Sequence, residues 1–216
     1  MSGQVIFISG IDTDIGKTVV TGWLARQWAE QGANVITQKL VQTGCVGASD
    51  DILMHRRIMG TGLFEEDRDG TTMPVLYAYP ASPHLAARLE QRELDIAAIG
   101  QATARLCARY ETVLVEGAGG LMVPLTAELL TIDYVVQRGW PVLLVTSGRL
   151  GSINHTLLSL EAIAARGIEL HGVAWNSRDD SGDELIAADS RSFIREYVRQ
   201  RFPAAEWYEV PRLELA

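Results

Sequence analysis

The chain has 216 residues, 47% of them hydrophobic, a length that can bury one substantial core and an apolar share ordinary for a globular protein. A formal net charge of -8 excludes a broad basic surface for wrapping nucleic acid. Cys45 and Cys107 lack the CxxC spacing of zinc or redox sites, no stretch reaches the roughly 18 apolar residues of a membrane span, and the run Val5 to Ile8 is too short for a signal peptide, so a cytoplasmic protein with free thiols is expected.

Gln4 to Ser9 reads as a buried strand. It runs into Gly10-Ile11-Asp12-Thr13-Asp14-Ile15-Gly16-Lys17-Thr18, which fits GxxxxGK[ST], the phosphate-binding loop. Small residues there let successive backbone N–H groups point at a phosphate, and the next helix adds the positive end of its dipole. Lys17 is placed to bridge the β and γ phosphates of a nucleoside triphosphate, and Thr18 to put its hydroxyl on Mg²⁺. The helix spans Thr18 to Gln31, with Val19, Trp23, Leu24 and Trp28 as inward positions. Gly32 stops it, and Val35-Ile36-Thr37 starts a second strand. Strand, loop, helix and strand together predict a right-handed βαβ unit. Lys39 follows that second strand. With Lys17 it is one of only two lysines, against seventeen arginines. A compact ammonium at both places, in a chain that otherwise uses arginine, points to charge lying between phosphate oxygens.

Ser49 is placed to cap a helix from Asp50 to about Met59. The pattern weakens from Gly60 to Pro83, where glycines and prolines leave room for one short strand near Met73 to Tyr77. A helix near Pro83 carries Leu85, Ala86 and Leu89, and Asp95 caps a longer one to about Ala108. The alternation then returns. Strand Thr112 to Val115 ends at Glu116-Gly117-Ala118-Gly119-Gly120, helix Thr131 to Gln137 follows, and Pro141 to Val145 is another apolar strand. Helix Ser152 to Ala165 is closed by Gly167, and strand Leu170 to Trp175 comes next. Ser181 or Asp183 caps a helix to about Arg201, and Trp207 to Val210 is a final strand.

Apolar strands alternating with helices specify one domain, residues 1–216, with an α/β fold: a mostly parallel sheet covered by helices on both faces. Ligands in such sheets lie at the carboxyl ends of the strands. Gly10, Lys39, Glu116, Gly148 and Asn176 all fall at or just beyond those ends, which predicts one shared site. Glu116 sits where a metal-facing carboxylate is expected, and Asp50 or Asp51 offers a further hard oxygen ligand. The four histidines form no nucleophile or zinc constellation. His84 and His155 adjoin site segments and read as structural or as supports behind the site rather than as catalytic groups.

Taken together, the loop Gly10 to Thr18, Val115-Glu116-Gly117-Ala118-Gly119-Gly120, Ser82-Pro83-His84 and Leu150-Gly151-Ser152-Ile153-Asn154-His155 resemble the ATP-dependent dethiobiotin synthetase family of biotin biosynthesis. The likeness runs from Val5 to about Asn176, with a weaker tail to Leu213. It implies a phosphate-loop ligase that acts as a homodimer and converts 7,8-diaminopelargonate, CO₂ and MgATP to dethiobiotin, ADP and phosphate. On that basis Asp14, Ile15, Gly16, Lys17, Thr18 and Val19 hold the nucleotide phosphates, while Asn176 and the backbone from Pro211 to Leu213 meet adenine. Thr18, Asp50 and Glu116 bind the metal. Thr13, Lys39 and Thr43 surround the carbamate and the transferred phosphate, with Thr13, Lys17 and Lys39 as the catalytic set. Leu150, Gly151 and Asn154 receive the substrate's distal carboxylate in the neighbouring subunit.

Three positions depart from the family pattern. Leu40 stands where proline is usual, Thr43 replaces serine, and Asp14 replaces the glutamate of many members. Two alternatives remain: a phosphate-loop amidoligase acting on another carboxylic substrate, and a switch-like partitioning or assembly ATPase. Many such switches carry an extra lysine directly after the loop's first glycine, where this chain has Ile11.

Overall fold

The computed structural model describes residues 3–179 and 182–214. Along the chain it forms β1 (Gln4–Gly10), α1 (Lys17–Glu30), β2 (Val35–Lys39), β3 (Gln42–Thr43), α2 (Asp50–Met59), α3 (Glu65–Arg68), β4 (Leu76–Tyr77) and α4 (Pro83–Leu89). The second part adds α5 (Ile96–Arg109), β5 (Thr112–Gly120), α6 (Thr131–Arg138), β6 (Val142–Thr146), α7 (Ser152–Ala165), β7 (Leu170–Asn176), α8 (Glu184–Arg201) and β8 (Glu206–Val210). Six strands form one sheet in the order β2-β5-β1-β6-β7-β8, with every neighbouring pair parallel. β3 and β4 form a separate two-stranded parallel ladder.

Alternate strand residues feed two cores, because successive side chains on a strand project to opposite faces. Phe7, Val113, Val115, Val142 and Leu144 join one core with Ile99 and Leu106 of α5, Leu160 and Ile163 of α7, and Ile194 and Val198 of α8. Ile6, Ile8, Leu114, Leu143 and Val145 join the other, with Val20, Leu24 and Ala25 of α1. A sheet covered on both faces has no wet side, which is why its strands read as continuous apolar runs.

The inward stripe of α1 overlaps the expected one except at Val19. Leu24 is fully buried as expected, with Val20 and Ala25 beside it, and Trp23 and Trp28 pack against the same core while only partly buried. The helix starts one residue earlier than predicted, at Lys17, and its packing face is the 20/24 row. Val19 instead borders the cleft described below. β5 also runs further than expected. Its pairing with β1 continues to Gly10 opposite Gly120, so Glu116 lies inside the strand, opposite Lys39 of β2.

Helix starts follow the side chains read for them. Asp95 Oδ1 accepts from Ala98 N at 2.8 Å, and Asp183 Oδ1 accepts from Leu185 N at 2.9 Å. Ser181, the other candidate for that second cap, lies outside the described residues.

Candidate functional site

β1, β2 and β5 reach the same edge of the sheet, and the side chains there are charged although buried. The first reason is local geometry at the phosphate loop. Gly16 has φ 93°, and a Cβ on it would lie 2.2 Å from Asn176 Nδ2. Only glycine meets both demands. Asn176 Nδ2 in turn donates to Ile15 O at 2.8 Å, tying the loop to the end of β7. Lys17 opens α1 and folds back so that its Nζ donates to Asp12 O at 2.9 Å. Burial lowers the Lys17 pKa, against the opposing pull of Glu116 and with repulsion from Lys39 added.

The second reason is the close crossing of α1 and α2. A Cβ on Gly22 would stand 3.0 Å from Ile58 Cβ and 3.2 Å from His55 Cα, so the missing side chain lets α2 lie against α1. Ser49 fixes where α2 begins. Its Oγ accepts from Ile52 N at 3.1 Å and donates to Gln42 Oε1 at 2.6 Å. Asp51 and His55, four residues apart, then share the face turned toward Glu116.

The resulting cluster is dense. Thr18 Oγ1 lies 2.9 Å from Asp51 Oδ1 and 3.0 Å from Glu116 Oε1. A hydroxyl has one proton, so it satisfies only one of these two acceptors at a time. Lys39 Nζ contacts Asp51 Oδ2 at 2.6 Å, Glu116 Oε1 at 2.9 Å and Gly117 O at 3.1 Å, one acceptor for each ammonium proton. Burial alone disfavours the Lys39 ammonium, but the two carboxylates outweigh it and raise its pKa. Burial likewise disfavours the Glu116 carboxylate, yet Lys39 and His55 reverse the balance and hold it well below the usual carboxylate range.

Asp50 does not join this cluster. It is exposed and neighbours Cys45, while Asp51 meets Thr18 and Lys39. One residue along a helix turns the side chain by about 100°, which is enough to exchange the two roles.

The cleft over this cluster has a volume of about 680 Å³, within the ordinary range for small-ligand sites. Thr13, Asp14, Gly16, Lys17, Thr18, Val19, Lys39, Thr43, Glu116 and Asn176 all border it, together with both Asp50 and Asp51. Ile15 is instead buried in the core, presenting its carbonyl to Asn176. Pro211 and Leu213 follow β8 and do not border the cleft. Arg212 between them donates to Ser177 O at 3.2 Å. Leu150, Gly151 and Asn154 also lie outside it, on the exposed turn and first helical residues between β6 and α7. Arg149 links that turn to the phosphate loop, its Nη2 lying 2.7 Å from Asp12 Oδ2.

A family model described as an AAA domain matches residues 4–211. The chain is 51% identical to ATP-dependent dethiobiotin synthetase BioD 2 of Pasteurella multocida over 93% of each chain. It is 58% identical to ATP-dependent dethiobiotin synthetase BioD of Chlorobaculum tepidum, over 90% of this chain and 81% of that one. The chain belongs to the ATP-dependent dethiobiotin synthetase family. Family membership agrees with the likeness in the loop and in the stretch after Val115, and it makes the chain an ATP-binding ligase. The signal recognition particle receptor FtsY of Elizabethkingia anophelis, solved with GDP, superposes with a TM-score of 0.53 at 16% identity, covering 100% of this chain and 58% of that one. That likeness concerns the fold alone.

Two site residues escaped the sequence reading. Arg149 gives no local signal, since its partner Asp12 is 137 positions away. His55 does give one: it lies four residues after Asp51 on a predicted helix, a spacing that puts both on one face.

Proposed function

We propose that the chain catalyses the MgATP-dependent carboxylation and ring closure of 7,8-diaminopelargonate to dethiobiotin, with residues 1–216 acting as one domain. The observation carrying this reading is the buried Lys39, opposite Glu116 and beside the phosphate-loop lysine, in a chain so similar to named dethiobiotin synthetases. The six-stranded sheet, which draws strands from both halves of the chain, supports a single domain.

An amine nitrogen of the substrate attacks CO₂ and loses a proton, forming a carbamate. A carbamate oxygen attacks the γ-phosphorus, and the bond to ADP breaks. The second amine then attacks the carbonyl carbon of the mixed carbamic-phosphoric anhydride, expels phosphate and loses its proton to close the ring. Protein groups contribute position and charge more than covalent chemistry. The phosphate loop from Asp14 to Val19 holds the nucleotide phosphates, Lys17 and Lys39 offset charge on the phosphoryl oxygens, and Thr13 and Thr43 border the carbamate. Asn176 stands at the adenine end. The backbone from Pro211 to Leu213 follows β8, the strand beside Asn176, and Arg212 there donates to Ser177 O next to Asn176, which supports the adenine role for that tail.

Among the described residues, no group of three or more His, Cys, Asp or Glu side chains forms a ready metal cage. Thr18, Asp51 and Glu116 supply a partial set of hard oxygens, the kind that suits a cation bound together with substrate phosphates. The single Thr18 proton facing two carboxylate oxygens fits a cation there. Mg²⁺ held by these three residues would neutralise phosphoryl charge. The choice of Asp51 over Asp50 is testable. Asp51→Asn should raise the Mg²⁺ concentration for half-maximal turnover about tenfold or more, the scale of losing a metal-site group, and Asp50→Asn should leave it near wild type. Steady-state rates across a Mg²⁺ series decide between them, and the reverse pattern returns the role to Asp50.

A homodimer completes the reading. Asn154 and Leu158, four residues apart on α7, share one exposed face, and Leu150 stands exposed in the turn just before the helix, so this end of α7 offers a partly apolar surface. Met122, also exposed, borders the same groove as Leu158, Asp12 and Thr13. Cytoplasmic operation is supported by two buried free thiols, Cys45 and Cys107, and no helix among the described residues is long and apolar enough to cross a membrane.

Product mass spectrometry tests the whole assignment. ADP release should require diaminopelargonate, CO₂ and Mg²⁺ together and should accompany a cyclic urea product. Fast phosphate release indifferent to the diamine would instead favour the switch-like ATPase.

A further inference from the structure

Behind Glu116 runs a buried polar chain that the reaction as described leaves unused. His55 is fully buried on the inner side of α2, where Ile52 and Ile58 occupy neighbouring inward positions and an aliphatic residue would serve packing alone. Its Nε2 lies 2.7 Å from Glu116 Oε2, and its Nδ1 lies 2.9 Å from Thr37 Oγ1. Arg56 Nη1 lies 2.8 Å from the same Thr37 hydroxyl. The guanidinium also grips Asp67 twice, through Nε and Nη2, both at 2.8 Å. Thr72 Oγ1 closes the chain on Asp67 Oδ1 at 2.7 Å.

The direction of each bond follows from which groups can donate. A guanidinium only donates, so Thr37 Oγ1 accepts from Arg56 and keeps its own proton to give. An ionised carboxylate only accepts, so the hydrogen between His55 and Glu116 sits on Nε2. With no proton on Nδ1, Thr37 donates to it, and every group in the chain is satisfied. This divides the two oxygens of Glu116. Oε2 is held from behind by His55, and Oε1 alone faces Thr18 and Lys39.

We infer that His55, oriented by Thr37 and Arg56, is a positioning residue that sets the rotation of the Glu116 carboxylate toward the bound cation. The inference rests on the reading of Glu116 as a metal carboxylate. The terminal torsion of a glutamate is broad and roughly two-fold, so without a partner on Oε2 the carboxylate can turn. Fully enclosed, Oε2 would also be left as an unpaired buried acceptor.

The test is calorimetric titration of Mn²⁺ into protein saturated with a non-hydrolysable ATP analogue, beside titration of the analogue alone in EDTA. For His55→Leu the Mn²⁺ dissociation constant should rise about 10–100-fold, as for other groups that orient metal ligands. Affinity for the metal-free analogue should stay at the wild-type value. His55→Gln, which can present an N–H to Oε2, should recover most of the loss, and Thr37→Val should shift Mn²⁺ binding the same way by less. Wild-type Mn²⁺ affinity in His55→Leu, or an equal loss of metal-free analogue binding, overturns the inference. If His55→Leu does not fold, Thr37→Val decides it by the same two titrations. Glu116→Gln separates the two levels. Unchanged Mn²⁺ binding in that variant overturns the metal assignment itself, whereas lost binding there beside normal binding in His55→Leu overturns only the positioning role.

Discussion

Lys39→Met is expected to lower turnover by roughly 10²–10³, the scale of losing one charge that acts in the transition state. ATP binding should largely persist, because the phosphate loop and Lys17 grip the nucleotide from a different strand end. The structure adds a stability cost that position in sequence did not disclose. Lys39 is 5% exposed and lies against Glu116, which is fully buried. Removing the ammonium leaves that carboxylate with His55 and Thr18, and breaking a buried pair from one side costs about 3–5 kcal/mol.

The pH dependence has a definite sign. The folded-state pKa of Glu116 is depressed, so its contribution to stability is present above its unfolded value, near about 4.3, and is lost as pH falls through and below that range. Methionine at position 39 removes part of the depression. The gap in urea midpoint between wild type and Lys39→Met should therefore be widest near pH 7 and narrow below about pH 4. Single-turnover kinetics, ATP calorimetry and urea titrations at the two pH values check the three parts separately. Collapsed ATP affinity with normal turnover per bound complex would contradict the catalytic role. Lys39→Arg should also be poor. Three acceptors surround one compact ammonium here, and a planar fork cannot reproduce that arrangement.

The second large effect concerns subunits. Lys17→Ala and Asn154→Asp chains should each be nearly inactive as homodimers, the first for want of a phosphate-loop charge, the second because a carboxylate would face the substrate's carboxylate. Mixed dimers should regain one site with intact Lys17 from one chain and intact Asn154 from the other. Random exchange makes half the dimers mixed, so recovery should reach about a quarter of wild-type activity. The structural motive is that Leu150 and Asn154 lie outside the cleft of their own chain while standing exposed at the start of α7. Equilibrated heterodimers with no activity above the homodimers would reduce the turn to an ordinary helix start. Arg149 qualifies the design: it joins this turn to Asp12, so the variant is placed at Asn154, whose side chain is exposed, to leave that link intact.

Much of this protein was legible in one dimension because the relevant physics is local. A strand buried on both faces must be apolar throughout, a loop that cradles phosphate must be small, and helices must be capped. Those constraints wrote the parallel α/β fold, the phosphate loop and the two isolated lysines into short stretches of sequence. Pieces with little local signal were lost: the two-residue strand β3 has no periodicity to read, whereas its partner β4 falls at the end of the short strand expected near Met73 to Tyr77. Of the expected inward row of α1, Leu24, Trp23 and Trp28 do meet the core but Val19 does not, because several positions of the helix are apolar and only packing selects among them. Tertiary structure alone decided how the charges are shared. The crossing of α1 and α2 at Gly22 brings Asp51 rather than Asp50 to Thr18. The register of β2 on β5 sets Lys39 opposite Glu116, and α2 lays His55 behind that carboxylate. Coulombic and hydrogen-bond partners so far apart in the chain meet only when helices and strands pack, and burial then makes each of those contacts count far more than it would in water.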